Sequence, residues 1–300
     1  MFRKIMWGLI ALVFIGGVTF LGLTTTKTLV TTDAGKITKE EYYNQVKSTS
    51  AGKQVFAQMV IDKVFEKQYG KQVSKSDVNN AFTTAKAQYG DSFASMLTQS
   101  GMTESQYKTS LREKLVMNAA VKANYTISKS KLSDAYNNYV PDTTISLITA
   151  KDQDTAQQAI DALNNGTSWD DVYKQYSSKN SQANKSGQLP AFDSTNTTVD
   201  TEIRKAAFNQ SVGSYSTDPV KASSGSNYYV VRTDKMIDKP AQSKVEQKLK
   251  DKLTNDFIND SNNQTAIQKI IGKLLRKNDV TIKDSDLKNA LAAYLTAGVN

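Results

Sequence analysis

Among 300 residues there is no cysteine and no histidine, and only four prolines occur. Without cysteine the chain forms no disulfide, no thiolate metal site and no thiol nucleophile, and thioether lipidation is chemically excluded. Without histidine there is no Ser-His-Asp relay, no HExxH zinc site and no imidazole acid or base near neutral pH. A hydrolase made from this chain would need paired carboxylates, a Ser-Lys pair or a carboxylate-bound metal. No glycine-rich phosphate loop occurs. The acids Asp251, Asp256 and Asp260 lack metal-loop spacing and read as a solvated helix face. Neither a metal nor a cofactor is expected.

What is present begins with Arg3 and Lys4, followed by an uncharged and almost wholly apolar run from Ile5 to Thr26. The stretch Met6 to Leu23 matches a helix crossing the roughly 30 Å hydrocarbon layer. Positive residues before it and a long polar remainder after it predict everything beyond about Lys27 on the outer side of a membrane. The flank Thr24-Thr25-Thr26-Lys27 holds no small-x-small cleavage site, so residues 1–26 are expected to stay as an uncleaved anchor. A bacterial lipoprotein would carry cysteine where Leu23 stands. The balance of 38 Lys+Arg against 29 Asp+Glu gives +9, dispersed along the chain. Outside a cell that charge suits anionic wall polymers or lipid headgroups, and nucleic acid is not expected as a partner.

Beyond the anchor, hydroxyl-x-x-acid/amide spacings predict helix starts at Thr38-Lys39-Glu40-Glu41, Ser74-Lys75-Ser76-Asp77, Thr103-Glu104-Ser105-Gln106 and Ser243-Lys244-Val245-Glu246. Apolar stripes follow them at helical spacing. One runs through Val55, Phe56, Met59, Val60, Val64 and Phe65 to a stop at Tyr69-Gly70; others are Val78, Phe82, Ala85, Tyr89 and Tyr107, Leu111, Leu115. Such stripes read first as core, and second as apolar surface able to cradle an unfolded chain. From Pro141 the pattern changes. A β-type run at Thr144–Ala150 precedes helices at Asp154–Leu163, Trp169–Tyr176 and Thr201–Phe208, with a strand at Asn227–Thr233. After Pro240 helical patterning resumes from Gln242 to Lys277, ending in a strand-like Val280-Thr281-Ile282 and a last helix around Leu287–Leu295. A β-containing module is thus inserted between two helical blocks, expected to pack together because neither has the apolar surface to stand alone.

The inserted module resembles a parvulin-type peptidyl-prolyl isomerase domain. The resemblance rests on Ile145-Ser146-Leu147-Ile148, Ala156 through Leu163, Trp169-Asp170-Asp171-Val172, Tyr176-Ser177, Gly187-Gln188-Leu189-Pro190-Ala191-Phe192, Ala206-Ala207-Phe208, Val212-Gly213 and Tyr228-Tyr229-Val230-Val231. The flanks Gly35 through Tyr43, Val64 through Gly70 and Val280 through Asp284 are similar to PrsA foldases of Gram-positive bacteria. The resemblance implies an α+β chain in four parts. These are an anchor at 1–26, helical chaperone segments at 27–140 and 240–300 that form one domain, and a parvulin-like (FKBP-like) α/β domain at 141–239 inserted between them. It also implies a membrane-tethered extracellular foldase for unfolded or nascent secreted proteins, with dimers described in the family.

The chain departs from the family at its active site. Parvulins place histidine in the first and last strands, where Leu147 and Tyr229 stand here, and a cysteine or aspartate near Lys179. The usual Gly-Gly-Asp-Leu-Gly appears as Ser186-Gly187-Gln188-Leu189-Pro190. Uncatalysed X-Pro isomerisation crosses a barrier of about 18–20 kcal/mol, and lowering it requires binding the twisted amide better than either planar form. No catalytic residue is therefore assigned. Leu189, Phe192, Val199, Ile203 and Phe208 remain as a candidate proline-holding, substrate-binding pocket, with ordinary core packing as the alternative. Capture of unfolded clients without ATP, isomerisation at a non-standard site, and wall-polymer binding stay open as functions. Asn124-Tyr125-Thr126, Asn165-Gly166-Thr167 and Asn196-Thr197-Thr198 fit the glycosylation acceptor pattern, which a chain rich in Asn and Thr produces by chance.

Overall fold

The computed structural model describes residues 27–178, 186–223 and 225–297. The predicted anchor at 1–26 and Lys179 lie outside the described residues. Among the described residues no helix is long and apolar enough to cross a membrane.

In chain order the elements are β1 (Thr28–Thr32), β2 (Gly35–Thr38), α1 (Lys39–Ser48), α2 (Ser50–Tyr69), α3 (Lys75–Tyr89), α4 (Ser92–Gln99), α5 (Glu104–Asn124) and α6 (Lys129–Asn137). They continue with β3 (Thr143–Ala150), α7 (Gln153–Asn164), α8 (Trp169–Tyr176), α9 (Thr201–Phe208), β4 (Val220–Lys221), β5 (Tyr228–Met236), α10 (Gln242–Asn259), α11 (Gln264–Lys277) and α12 (Ala292–Leu295). The chain divides into two compact units, residues up to 126 with 256 onward, and 127–255 between them. It is an α+β protein whose helical unit is made from both ends of the chain.

Three predicted helix starts carry the reciprocal bonds their sequences call for. Glu41 N–H donates to Thr38 Oγ1 while Thr38 N–H donates to Glu41 Oε2; Ser74 with Asp77 and Thr103 with Gln106 repeat the arrangement. The fourth differs. Helix α10 starts at Gln242, and Lys244 N–H donates to Ala241 O, so Ser243 lies inside the first turn instead of capping it.

In the helical unit, Ala57, Ile61 and Phe65 of α2 and Val116 and Ala120 of α5 share one interior with Ile271, Leu274, Leu275 and Leu291 from the far end of the sequence. Each buried Leu, Ile or Phe contributes about 1.5–3 kcal/mol over its exposed state, so this shared interior binds residues two hundred positions apart. Helix α11 presses so close to the tail that a Cβ on Gly272 would meet Tyr294 O at 2.0 Å. A second cluster sets Phe82, Phe93 and Tyr107 edge to face.

Several local expectations are corrected here. The segment after Lys27 opens not with a helix but with an antiparallel hairpin, β1 on β2; Thr32 Oγ1 donates to Gly35 O and accepts from Ala34 N–H to turn it. The helical patterning expected over Gln242–Lys277 is present as two helices, divided where Asp260 takes an extended conformation and accepts from Asn262 N–H to start a short 3-10 turn. Val280-Thr281-Ile282 forms no strand, and the last helix is confined to Ala292–Leu295.

The second unit centres on an antiparallel sheet in the order β3-β5-β4. One face of β3 and β5 packs against α7 and α8 through Ile148, Ala156, Ile160, Trp169, Val172 and Val230. The other face packs against α9. The unit extends past Pro141 and Pro240 because α6 and the start of α10 close on each other through Tyr139, Val245 and Leu249, with Leu132 and Tyr136 beside them.

Candidate functional site

The register Leu147↔Val231 and Thr149↔Tyr229 sets the α9 side of the sheet. A strap from Ser186 to Phe192 runs along the free edge of β3. Leu147 N–H donates to Gly187 O and Leu189 N–H to Ile145 O, both at 2.9 Å, and Thr143 exchanges two bonds with Phe192. Gly187 is required there: its φ is +80° and a Cβ would meet Leu147 O at 2.2 Å. Past the strap, the buried Asp193 carboxylate accepts from Tyr139 Oη, Thr195 and Lys248 Nζ. Burial alone would raise its pKa; these four donor bonds together hold it below the usual carboxylate range.

That geometry brings the five predicted pocket residues into one cluster. Leu189, Phe192 and Ile203 pack with Ile145, Leu147, Ala207 and Val231, while Val199, Phe208 and Tyr229 sit at the edge of the group, half-buried. Phe192 and Phe208 meet at 5.7 Å between ring centres. Leu189, Phe192 and Ile203 are only 5, 4 and 4 % exposed, so the accessible apolar surface belongs to Val199, Phe208 and Tyr229. Leu147, at a family histidine position, is 2 % exposed. The polar atoms near this face include the Tyr229 phenol, the Thr233 hydroxyl, which donates to Ala207 O, and the buried Thr149 Oγ1, which has no hydrogen-bond partner among the described residues. Such groups donate and accept hydrogen bonds.

Sequence reasoning missed a polar cluster on the opposite face. Ser146 Oγ donates to Asp234 Oδ2 and Arg232 Nε to Asp234 Oδ1, each at 2.6 Å. The Arg232 guanidinium lies 4.3 Å over the Trp169 ring, and Trp169 Nε1–H donates to Ser186 O. It fastens the strap, β3, β5 and α8 together.

The helical unit holds a cleft of about 820 Å³ between α2, α5 and the segment 278–281. Helix α2 carries two apolar stripes. Ala57, Ile61 and Phe65 face the interior, Phe56 and Met59 line the cleft, with Met59 44 % exposed, and Val60 and Val64 stand between, touching both. Of the expected core stripe Val55, Phe56, Met59, Val60, Val64 and Phe65, Phe65 is in the interior and Val60 and Val64 pack against it, whereas Phe56 and Met59 are corrected to the cleft side. Arg112 holds the cleft's end in shape, donating to Val73 O, Gly70 O and Glu66 Oε1. Two carboxylates open on the same space. Burial pushes Glu113 up to about 7, helped by the negative charge of Asp62, and burial raises Asp62 against the pull of a hydrogen bond from Gln58. No sequence motif marks this cleft; the second stripe on α2 was its one legible trace.

Comparison with known proteins bears on both units. The family model for the PPIC-type PPIASE domain matches residues 116–251. The chain is 42% identical over 269 residues to the foldase protein PrsA of Pediococcus pentosaceus, covering 90% of each chain. It is 41% identical over 277 residues to the foldase protein PrsA of Levilactobacillus brevis, covering 90% of this chain and 89% of that one. Among solved structures it is similar to foldase protein PrsA from Streptococcus pneumoniae, with a TM-score of 0.75 at 30% identity over 89% of this chain and 99% of that chain.

Proposed function

The chain belongs to the PrsA foldase family, and on that premise we propose that it is a membrane-tethered, extracellular foldase that captures unfolded secreted polypeptides in its helical unit without ATP. The observation that carries this reading is the contrast in access. The cleft of the helical unit leaves Met59 exposed and Phe56 and Val60 half-buried along its wall beside charged side chains, while the most buried residues of the parvulin-like pocket already fill one another's space. Transient burial of a client's apolar side chains in the cleft lowers the concentration of aggregation-prone chain while it folds. The tether in this account is the apolar run of residues 5–26.

A working isomerase is the second reading, favoured by the PPIC-type PPIASE match over residues 116–251. Against turnover stand Leu147 and Tyr229 in place of the family's histidines. A third reading, binding of anionic wall polymer, draws on the dispersed charge of +9. The test is to give the full-length protein two clients, one without proline and one whose refolding is limited by proline. Suppressed aggregation of the first with little acceleration of the second is expected. Acceleration of the second alone would make it an isomerase, and no effect on either would leave wall binding.

A further inference from the structure

We propose that the cleft of the helical unit is selective for extended apolar segments carrying a lysine or arginine, whose cation seats between Asp62 and Glu113. This deepens the foldase reading and rests on it.

The argument starts from an imbalance inside the cleft. Its floor is apolar, from Phe56, Met59, Val60 and Val116, which favours aliphatic and aromatic side chains. Set into that floor are two carboxylates with almost nothing to neutralise them. Asp62 accepts one hydrogen bond, from the neutral Gln58 amide at 2.8 Å. Glu113 has no hydrogen bond and no ion pair among the described residues. The phenol of Tyr294 feels the charge of Asp62 and is itself neutral.

The cations near the cleft do not fill the role. Arg112 spends its guanidinium on Val73 O, Gly70 O and Glu66. Lys63 and Lys67 are exposed, and no ion pair joins either to Asp62 or Glu113 among the described residues. Burial and mutual repulsion, with no opposing cation, govern Glu113. A half-buried carboxylate in that position is costly when ionised, and a cation brought in by a ligand removes the cost while gaining charge-assisted hydrogen bonds.

The site's volume, about 820 Å³, accommodates a few residues of extended chain. A bare ion would leave the apolar floor uncovered. An acidic or neutral segment would leave the carboxylates unpaired. An apolar segment with one basic residue satisfies both halves of the lining. The lining as a whole is balanced, with Lys63, Lys67 and Arg112 against Asp62, Glu66 and Glu113, so selectivity comes from the two carboxylates that no cation pairs among the described residues and not from an acidic surface.

The test uses the full-length protein and three fluorescent peptides with identical apolar residues and a central lysine, norleucine or glutamate. At pH 8 the lysine peptide is expected to bind about tenfold more tightly than the norleucine peptide, the worth of one charge-assisted hydrogen bond. That preference should shrink as pH falls below 7, and binding near pH 7 should release protons, seen as a buffer-dependent heat. Glu113→Gln and Asp62→Asn should abolish the preference, with melting curves confirming that both variants are folded, while Glu40→Gln on α1 retains it. Equal binding of the lysine and norleucine peptides, with aggregation still suppressed, would overturn the selectivity and leave the foldase reading standing. Absence of binding by all three, with no suppression of aggregation, would remove the foldase reading itself. A calcium-induced rise in melting temperature that disappears in Asp62→Asn, with no lysine preference, would reassign the carboxylates to a metal ion.

Discussion

The two units of this protein treat apolar surface in opposite ways. The unit of residues 127–255 turns Leu189, Phe192 and Ile203 inward against its sheet until almost nothing of them is exposed. The unit built from both chain ends leaves Met59 exposed and Phe56 half-buried along a cleft and places there two carboxylates that no cation pairs among the described residues. Closed apolar surface stabilises a fold; open apolar surface flanked by fixed charge is where a stable protein has interaction capacity to spare. That difference in access is what places the proposed client capture in the helical unit and not in the unit that carries most of the PPIC-type match.

That comparison breaks most readily at the shared interior. Phe65→Ala empties a fully buried site that joins α2 to the C-terminal helices, and a loss of about 3–5 kcal/mol is expected. Denaturant unfolding should show the cost together with loss of aggregation suppression. A loss below about 1 kcal/mol would mean that the two chain ends do not depend on each other.

Next comes the strap of the sheet unit. Gly187→Ala forces a side chain into positive φ against Leu147 O, at a cost of about 1–3 kcal/mol. The sheet unit should become more sensitive to protease while aggregation suppression persists. Parallel loss of both would show that client capture resides in the sheet unit after all.

A smaller effect sharpens the cleft's side of the comparison. Folded Glu113 keeps its proton up to about pH 7, whereas the unfolded residue loses it near the ordinary glutamate value of 4.5. The native state therefore binds more protons between those limits, and stability falls as pH rises through that window. Glu113→Gln should raise the melting temperature by about 2–4 °C at pH 8 and leave it unchanged at pH 4. An equal shift at both pH values would assign the effect to packing.

The smallest effect concerns Tyr229, at the other family histidine position. Tyr229→Phe removes its phenolic hydroxyl and keeps the ring, and proline-limited refolding assays should register no change in rate. A clear slowing would reveal a catalytic use of that hydroxyl.

Much of the fold was legible because its signals are local. The capping boxes at Thr38, Ser74 and Thr103 join residues three apart, and the strands at Thr143–Ala150 and Tyr228–Met236 are rich in β-branched and aromatic residues. The hairpin at Thr28–Thr38 was missed although Asp33-Ala34-Gly35 sits between two β-branched runs, because the nearby capping box drew the segment toward helix. The break at Asp260 was hidden by helical patterning on both sides. The candidate pocket's membership was legible through the family resemblance, but its burial was not, since exposure depends on what α9 and the strap cover. The cleft was least legible: Asp62 and Glu113 lie on different helices, and neither belongs to a motif.

The most direct test of the central contrast is site-specific photo-crosslinking in the full-length protein, with a photoreactive residue placed at Met59 in the cleft or at Phe208 beside the sheet. A denatured, proline-free client should label strongly from position 59 and weakly from 208. Labelling confined to position 208 would contradict the account and return client capture to the parvulin-like unit.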